Sequence, residues 1–238
     1  MIKTIRFSEY RDVGDPVKTA LVYDSQGADE LIFLDISAST DGKSELHHIL
    51  SDASESCFVP ITAGGGMKTL ADIERTLKSG ADRVSINTEA AIRPGFINDA
   101  VREFGSSTLV VCIDVKKNID GHDRVSILRG SKFLDRNPAD WAVEASERGA
   151  GEIMLHFVDR EGTMNDGYDL ALLRKVADSV SVPICACGGV GKLNHFVEGV
   201  TVGHASSVAA ASIFHFTDQS PIKVHAYMAG QGINVRSS

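Results

Sequence analysis

The sequence has few of the features that mark secreted or membrane proteins. Its four cysteines are too few and too dispersed over 238 residues to predict a disulfide framework. No window approaches the ~18 consecutive apolar residues of a membrane span, and the first residues have no apolar core of signal-peptide length. We therefore expect a cytoplasmic protein with reduced cysteines.

Positive charge is also scarce. The 24 basic residues are outnumbered by 32 acidic ones, which gives a net charge of −8, and the basic residues form no cluster. Such a chain repels nucleic acids and anionic membranes, so we expect neither as a partner. With 43% hydrophobic residues and no low-complexity tract, residues 1–238 are predicted to form a single domain with a full core.

One pattern occurs twice in the chain. The segments VPITAGGG at residues 59–66 and VPICACGG at residues 182–189 lie about 123 positions apart. Two neighbouring pairs of segments recur at nearly the same spacing: residues 27–30 with 149–152, and residues 80–88 with 203–212. Three matched pairs indicate a duplicated half-barrel. They predict two equivalent anion sites on opposite sides of one mouth, which suits a ligand with a phosphate at each end.

Short apolar runs alternate with amphipathic stretches, which is typical of βαβ units around a parallel sheet. The predicted strands are residues 31–35, 59–63, 83–87, 109–114, 152–158, 183–187 and 207–211. The predicted helices lie near residues 15–27, 43–55, 68–79, 94–104, 137–149, 169–180, 192–201 and 221–229. Asp120-Gly121 predicts a hairpin turn within residues 115–136. The predicted fold is an α/β (β/α)8 TIM barrel built from two half-barrel repeats.

Seven strands are one short of a closed barrel. The repeat spacing places the counterpart of strand 109–114 upstream of Met1, so we expect this barrel to lack its first strand. An open sheet leaves backbone N–H and C=O groups unpaired beside the core. We therefore expect either that residues 1–7 fill the gap or that the chain is unstable alone.

Asp114 is the strongest catalytic candidate. It follows the apolar run at residues 109–113, and residues that follow barrel strands meet at one mouth. A carboxylate held rigidly there suits general acid or base catalysis. The alternative interpretation is a loop cap, or an ion pair with Lys116 or Lys117.

Two further residues are ambiguous. Asp35 follows the strand at residues 31–34 and is either part of the substrate site or a turn cap. His156 lies inside an apolar run and is either an acid or base that faces the pocket or a buried structural histidine.

Glycines follow two of the strands, at residues 64–66 and 188–191. They let a phosphate approach the backbone N–H groups closely, and Asn87, Thr88 and Ser212 add side-chain donors. The alternative is that these glycines only turn a strand into a helix.

Three charged residues stand at the opposite, N-terminal ends of alternate strands. They are Glu30, Arg83 and Glu152. Charges in such positions are usually a solvated rim or a stabilising network.

The sequence resembles the cyclase subunit of imidazole glycerol phosphate synthase, which is part of a glutamine amidotransferase of histidine biosynthesis. The resemblance covers nearly the whole chain. Its most specific segments are DELIFLD at 29–35, VSINT at 84–88, GAGEI at 149–153, DREGT at 159–163 and AASIFHF at 210–216.

This resemblance implies a reaction with ammonia. A glutaminase subunit, docked on the N-terminal face as a heterodimer partner, releases ammonia that travels through the barrel. The ammonia reacts with a bisphosphorylated ribulosyl-aminoimidazole-carboxamide substrate and yields imidazole glycerol phosphate and an aminoimidazole carboxamide ribotide. No cofactor and no metal are implied.

The resemblance also implies residue roles. Asp114 resembles a catalytic aspartate, and Glu30, Arg83 and Glu152 resemble an ammonia gate. The implied substrate and phosphate contacts are Gly66, Asn87 and Thr88 at one end, Gly162, Gly189, Ala211 and Ser212 at the other, with Lys3 as the loop lysine and Asp35 beside them.

Some positions depart from the family. Its second catalytic aspartate and the gate arginine belong to the strand expected upstream of Met1, and loss of one acid or base group costs about 10²–10⁴-fold in rate. His156 stands where small hydroxyl residues are common, and Glu161 replaces a phosphate-site aspartate. We therefore expect a poor cyclase as the sequence stands.

Two alternatives to the cyclase remain open. Residues 3–11 are similar to paralogues of surface-polysaccharide gene clusters, which use ammonia to form an acetamidino group on a sugar. The other alternative is a truncated, non-catalytic barrel that binds phosphates or docks a glutaminase.

Overall fold

The computed structural model describes residues 1–36 and 46–236. The strands are β1 (Ile2–Ile5), β2 (Glu9–Asp12), β3 (Leu31–Leu34), β4 (Ile61–Gly64), β5 (Arg83–Ile86), β6 (Leu109–Lys117), β7 (Asp123–Ile127), β8 (Lys132–Phe133), β9 (Glu152–Phe157), β10 (Ile184–Cys187) and β11 (Ser207–Ala209). The helices are α1 (Pro16–Ser25), α2 (Leu46–Ser54), α3 (Leu70–Lys78), α4 (Thr88–Ile92), α5 (Gly95–Phe104), α6 (Pro138–Glu147), α7 (Leu170–Ala177), α8 (Leu193–Thr201), α9 (Ser212–Phe216) and α10 (Pro221–Gly230). None of the helices in these described ranges is long and apolar enough to cross a bilayer.

Seven parallel strands form the body of one curled sheet, in the order β3-β4-β5-β6-β9-β10-β11, and antiparallel β7 and β8 extend it from the end of β6. Each strand lies beside its neighbour in the chain, and helices connect them, as in a (β/α) barrel. The first half contributes β3 to β6 and the second half β9 to β11. The predicted α/β barrel architecture is confirmed.

The sheet is open between β3 and β11. Within residues 1–36 and 46–236, each of these two strands pairs on one side only. Residues 1–7 do not fill the gap, because β1 pairs antiparallel with β2 in a separate two-stranded sheet. The first of the two outcomes expected from the sequence is therefore wrong. A cavity of about 1610 Å³ is lined by both edge strands and extends to the hairpin of β1 and β2.

The sheet buries two different faces. Alternate residues of β6 and β9, among them Ile113 and Leu155, are fully buried in the main hydrophobic cluster, which also contains Trp141 of α6. The intervening residues point to the barrel interior, where Cys112, Met154 and Cys185 form a smaller cluster. Asp114 and His156 lie on this interior face.

The predicted element types agree closely with the structure. All seven strands and eight helices occur, although positions 43–45 of the second predicted helix lie outside the described residues. Asp15 caps α1 and Asn137 caps α6, and in both helices proline opens the first turn. The elements that the sequence did not predict are short and include the β1–β2 hairpin, β8, α4 and α9.

The hairpin predicted at Asp120-Gly121 is confirmed. The Asn118 side chain accepts hydrogen bonds from the N–H groups of Asp120 and His122 and so shapes the turn. Because β7 pairs with the end of β6, that strand continues to Lys117 and does not end at Asp114 as predicted.

The open edges predict uneven protection of the backbone. Amides in β3 and β11 are expected to exchange at least ~100-fold faster than those of β6 and β9, because each edge strand has a neighbour on one side only. Hydrogen exchange followed by mass spectrometry, on peptides that span these four strands, measures the difference. Equal protection across the sheet would show that the edges are covered in solution.

Candidate active site

Asp114 lies inside β6, on the face that points to the barrel interior. Its side chain is only 7% exposed. Neither neighbouring lysine pairs with it, because the ammonium of Lys116 donates to the Gly130 carbonyl and that of Lys117 to Asp123. The alternative interpretation of Asp114 as half of a lysine ion pair is therefore wrong.

Two buried side chains contact the Asp114 carboxylate. His156 is its partner in the parallel pairing of β6 with β9, and Nδ1 of His156 lies 3.1 Å from Oδ1 of Asp114. The thiol of Cys112, two residues earlier on the same face, donates to the same oxygen at 3.6 Å. All three residues are less than 9% exposed. The carboxylate is thus held by an imidazole and a thiol.

The electrostatics keep the thiol neutral. Burial, and next the charge of the Asp114 carboxylate, raise the pKa of the Cys112 thiol well above its usual value. Burial also raises the pKa of Cys187 to about 12, and Lys3 opposes this rise. Both cysteines are therefore unreactive thiols at neutral pH.

The β1–β2 hairpin covers this side of the mouth. Glu161, which follows β9, accepts hydrogen bonds from the Thr4 hydroxyl at 3.0 Å and from the Phe7 N–H at 3.3 Å. Lys3 lies 4.0 Å from the same carboxylate. The Phe7 ring meets the His156 ring edge-on at 5.2 Å. The hairpin thereby shields the buried histidine from solvent.

The first glycine turn follows β4. Gly65 and Gly66 have positive φ angles, and a side chain on Gly65 would collide with the carbonyl of Asp35. On the neighbouring strand's end, Oδ1 of Asn87 is buried and has no hydrogen-bond partner among the described residues. Asn87 thus has an unused polar atom at this turn.

The second glycine turn follows β10. Gly189 and Gly162 have positive φ angles, and each packs so tightly against backbone that a side chain would collide with a carbonyl oxygen. Ser212, at the start of α9, is 7% exposed. Glycine is therefore required here for close loop packing, whatever else the turn binds.

The two turns flank the central strands. The first belongs to β4 and β5, the second to β10 and β11, and the strand order puts β6 and β9 between them. Asp114 and His156 are carried by those central strands. The carboxyl ends of all these strands lie at one edge of the sheet, so both glycine turns lie along that edge.

Only some of the predicted site residues line the large cavity. Its lining includes Lys3, Asp35, Gly162, Gly189, Ala211 and Ser212, together with His156. Gly66, Asn87, Thr88 and Asp114 are not part of that lining, although His156 links Asp114 to it. The backbone N–H of Asp35 donates to the Gly64 carbonyl at 2.8 Å, which ties β3 to the first glycine turn.

The predicted charged residues converge at the other end of the barrel. The Arg83 guanidinium lies 2.5 Å from Glu152 and 3.4 Å from Glu30. The hydroxyl of Thr62 also donates to Glu30, and the Arg83 Nε–H donates to the Ser107 carbonyl. The three side chains are between 14% and 31% exposed, so they form a partly buried network and not a solvated rim.

Apolar side chains lie between this network and the mouth along the strands. Glu152, Met154 and His156 share one face of β9, and this apolar layer contains Met154 with Cys112 and Cys185. Four residues of strand span about 13 Å between Glu152 and His156.

Sequence reasoning missed the contacts of two site residues. The bond between His156 and Asp114 depends on the register of β6 against β9, which no local pattern reveals. The sequence marked Glu161 only as a departure from the family pattern, whereas in the structure its carboxylate anchors the β1–β2 hairpin. The i,i+2 spacing of Cys112 and Asp114 was the one available signal that both share a face.

A parallel barrel with its polar groups gathered at the carboxyl ends of the strands has the arrangement of a (β/α) barrel enzyme. The family model described as "Histidine biosynthesis protein" matches residues 1–220 of the chain. The chain belongs to this histidine biosynthesis family, whose members are generally barrel enzymes.

The network at the N-terminal face predicts a stability effect. Arg83→Met leaves Glu30 and Glu152 without their cation, so we expect the free energy of unfolding to fall by about 1–3 kcal/mol. Arg102→Met is the matched control, because its pair with Asp99 is largely exposed, and it should cost less than about 0.5 kcal/mol. Urea denaturation measures both. Equal losses would mean that the network contributes no more than a surface pair.

Proposed function

We propose that the chain is the synthase subunit of a glutamine amidotransferase. It uses ammonia to convert a bisphosphorylated ribulosyl-aminoimidazole-carboxamide substrate to imidazole glycerol phosphate and an aminoimidazole carboxamide ribotide. The observation that carries the proposal is the buried Asp114 carboxylate on the central strands, between two glycine turns from opposite halves of a histidine biosynthesis barrel.

The substrate's two ends are assigned to the two glycine turns. At the first turn, backbone N–H groups near Gly66 and the side chains of Asn87 and Thr88 bind one phosphate. Within the part of the chain that the structure describes, Oδ1 of Asn87 is buried without a hydrogen bond, and a half-turn of the amide would present its NH2 donor to a phosphate at the same place, which supports this role. At the second turn, Gly189 and Ser212 bind the other phosphate.

Asp114 moves protons in this proposal. A carboxylate without a lysine partner, hydrogen-bonded to an imidazole, is able to accept a proton from the positively charged nitrogen that forms when ammonia adds to the substrate, and to return it at a later step. His156 holds the carboxylate in one orientation. The Phe7 ring and the hairpin exclude water from that side, which strengthens the electrostatic interactions inside the site.

Ammonia reaches Asp114 from the opposite face. Glu30, Arg83 and Glu152 act as the gate, and the apolar layer above them favours neutral ammonia over ammonium, whose charge is costly to desolvate. The partner is a glutaminase that docks on the N-terminal face to form a heterodimer. The partly buried ion network at that face supports this placement.

A second candidate is the sugar-modifying paralogue, in which ammonia forms an acetamidino group. One observation favours it over the cyclase: His156, which contacts Asp114, stands where the cyclase family commonly has a small hydroxyl residue, so the partner of the carboxylate departs from the cyclase pattern. Incubation with ammonium salt and the histidine-pathway substrate distinguishes the two candidates, since only the first predicts imidazole glycerol phosphate as product.

Asp114→Asn tests the catalytic assignment. We expect ammonia-dependent turnover to fall at least ~100-fold, because the amide cannot accept a proton, while the affinity for the bisphosphorylated substrate changes less than about threefold. Asp123→Asn, on the adjoining strand β7, is the control and should keep its activity. Equal turnover in the Asp114 variant and the parent would remove this residue from the mechanism.

Asn87→Ala tests the first phosphate site. Removal of one buried donor to a charged phosphate is expected to weaken substrate binding by about 10- to 100-fold. Asn98→Ala is the control, because that amide already bonds to Arg148 away from the mouth. Isothermal titration with the bisphosphorylated substrate measures both. Unchanged affinity in the Asn87 variant would contradict a phosphate contact there.

A further inference from the structure

We propose that Cys112, Asp114 and His156 bind a thiophilic divalent cation such as Zn²⁺ or Co²⁺. The binding site is argued independently of the proposed function, and only the inhibitory effect of a bound ion rests on that function. One ligand atom from each residue lies within 4.8 Å of the other two, and all three side chains are buried.

The spacing of the ligand atoms fits tetrahedral coordination. With zinc–sulfur bonds of ~2.3 Å and zinc–nitrogen or zinc–oxygen bonds of ~2.0 Å, sulfur and oxygen lie ~3.5 Å apart, and nitrogen and oxygen ~3.3 Å apart. In the structure, Sγ of Cys112 lies 3.6 Å and Nδ1 of His156 lies 3.1 Å from Oδ1 of Asp114. Only small side-chain movements are therefore needed to admit an ion.

The strand geometry holds the three ligands in place. Cys112 and Asp114 are two residues apart on one strand and share its interior face, and His156 is the registered partner of Asp114 on the next strand. The backbone positions of the three ligands are therefore fixed relative to one another by the sheet. A site built on strands in this way is more rigid than one built on loops.

The charge balance also favours a dication. A thiolate, a carboxylate and a neutral imidazole compensate a double positive charge, which leaves a neutral complex beside the apolar layer. On binding, the Cys112 thiol loses its proton to solvent, and the imidazole coordinates through Nδ1 and keeps its proton on Nε2. Sulfur and imidazole ligands select Zn²⁺ or Co²⁺ over Mg²⁺ and Ca²⁺.

The ion has a route of access and an open position. His156 lines the large cavity, so the three ligands lie at most one side chain away from a space that an ion can enter. Three protein ligands leave the fourth tetrahedral position to water or to a ligand in the mouth. A bound ion would occupy the Asp114 oxygen and withdraw it from proton transfer, so the site is an inhibitory one for an ammonia-using enzyme.

Cobalt titration of the metal-free full chain tests the site without any substrate. We expect one equivalent of Co²⁺ to bind, with a sulfur-to-cobalt charge-transfer band and the intense visible bands of four-coordinate cobalt, and we expect Zn²⁺ to displace it. No charge-transfer band at saturating Co²⁺ would overturn the proposal.

Variants assign the ligands. Cys112→Ser should abolish the charge-transfer band and weaken Co²⁺ binding at least ~100-fold, since even outer contacts of metal ligands contribute 10- to 100-fold. Cys57→Ser is the matched control, because that thiol is also buried but belongs to a different cluster. A band that survives in Cys112→Ser, or disappears in Cys57→Ser, would overturn the assignment.

A second variant keeps the test informative if Cys112→Ser fails to fold. His156→Gln keeps the thiol and the carboxylate, so we expect the charge-transfer band to remain but the Co²⁺ affinity to fall at least ~100-fold. Near-ultraviolet circular dichroism confirms that each variant is folded. Unchanged affinity in a folded His156→Gln protein would exclude the histidine as a ligand and overturn the three-residue site.

Discussion

The parallel pairing of β6 with β9 is the constraint on which the rest of the site depends. It puts Asp114 beside His156, and it puts the gate residue Glu152 on the same face of the sheet. Because side chains alternate along a strand, a slip of one residue would turn Asp114 toward the helices and Ile113 toward the barrel interior. The opposite face prevents this slip, since Ile113 and Leu155 are fully buried in the main hydrophobic cluster. Packing on the outer face of the sheet thus determines which side chains point into the barrel.

The interior is polar at both ends and apolar between them. The ion network of Arg83 and two carboxylates lies at the lower end, and the Asp114 group lies at the upper end. A buried carboxylate is tolerated only where its oxygens are hydrogen-bonded. His156 and Cys112 supply such bonds from within the same two strands. The carboxylate therefore does not need the lysine that usually neutralises a buried acid, and it remains available to a ligand.

Much of the fold was predictable because its signals are local in the sequence. Apolar runs, first-turn prolines and the duplicated glycine pattern located every strand of the parallel sheet and nearly every helix, and Asp120-Gly121 located the hairpin. The end of β6 was not predictable, because it depends on pairing with β7. The partner of Asp114 was hidden for the same reason: residues 114 and 156 meet only through sheet register. The β1–β2 hairpin was missed because its anchor, Glu161, lies in a distant loop.

The strand order also determines which parts of the site depend on the open edge of the sheet. Asp114 and His156 belong to β6 and β9, which have paired neighbours on both sides. Ala211 and Ser212, by contrast, follow β11, whose outer edge has no strand partner among the described residues. An unpaired edge strand opens locally at a lower free energy than the centre of its sheet. A strand that pairs with β11 would therefore stabilise the second glycine turn. The carboxylate, imidazole and thiol keep their geometry whether that edge is paired or open.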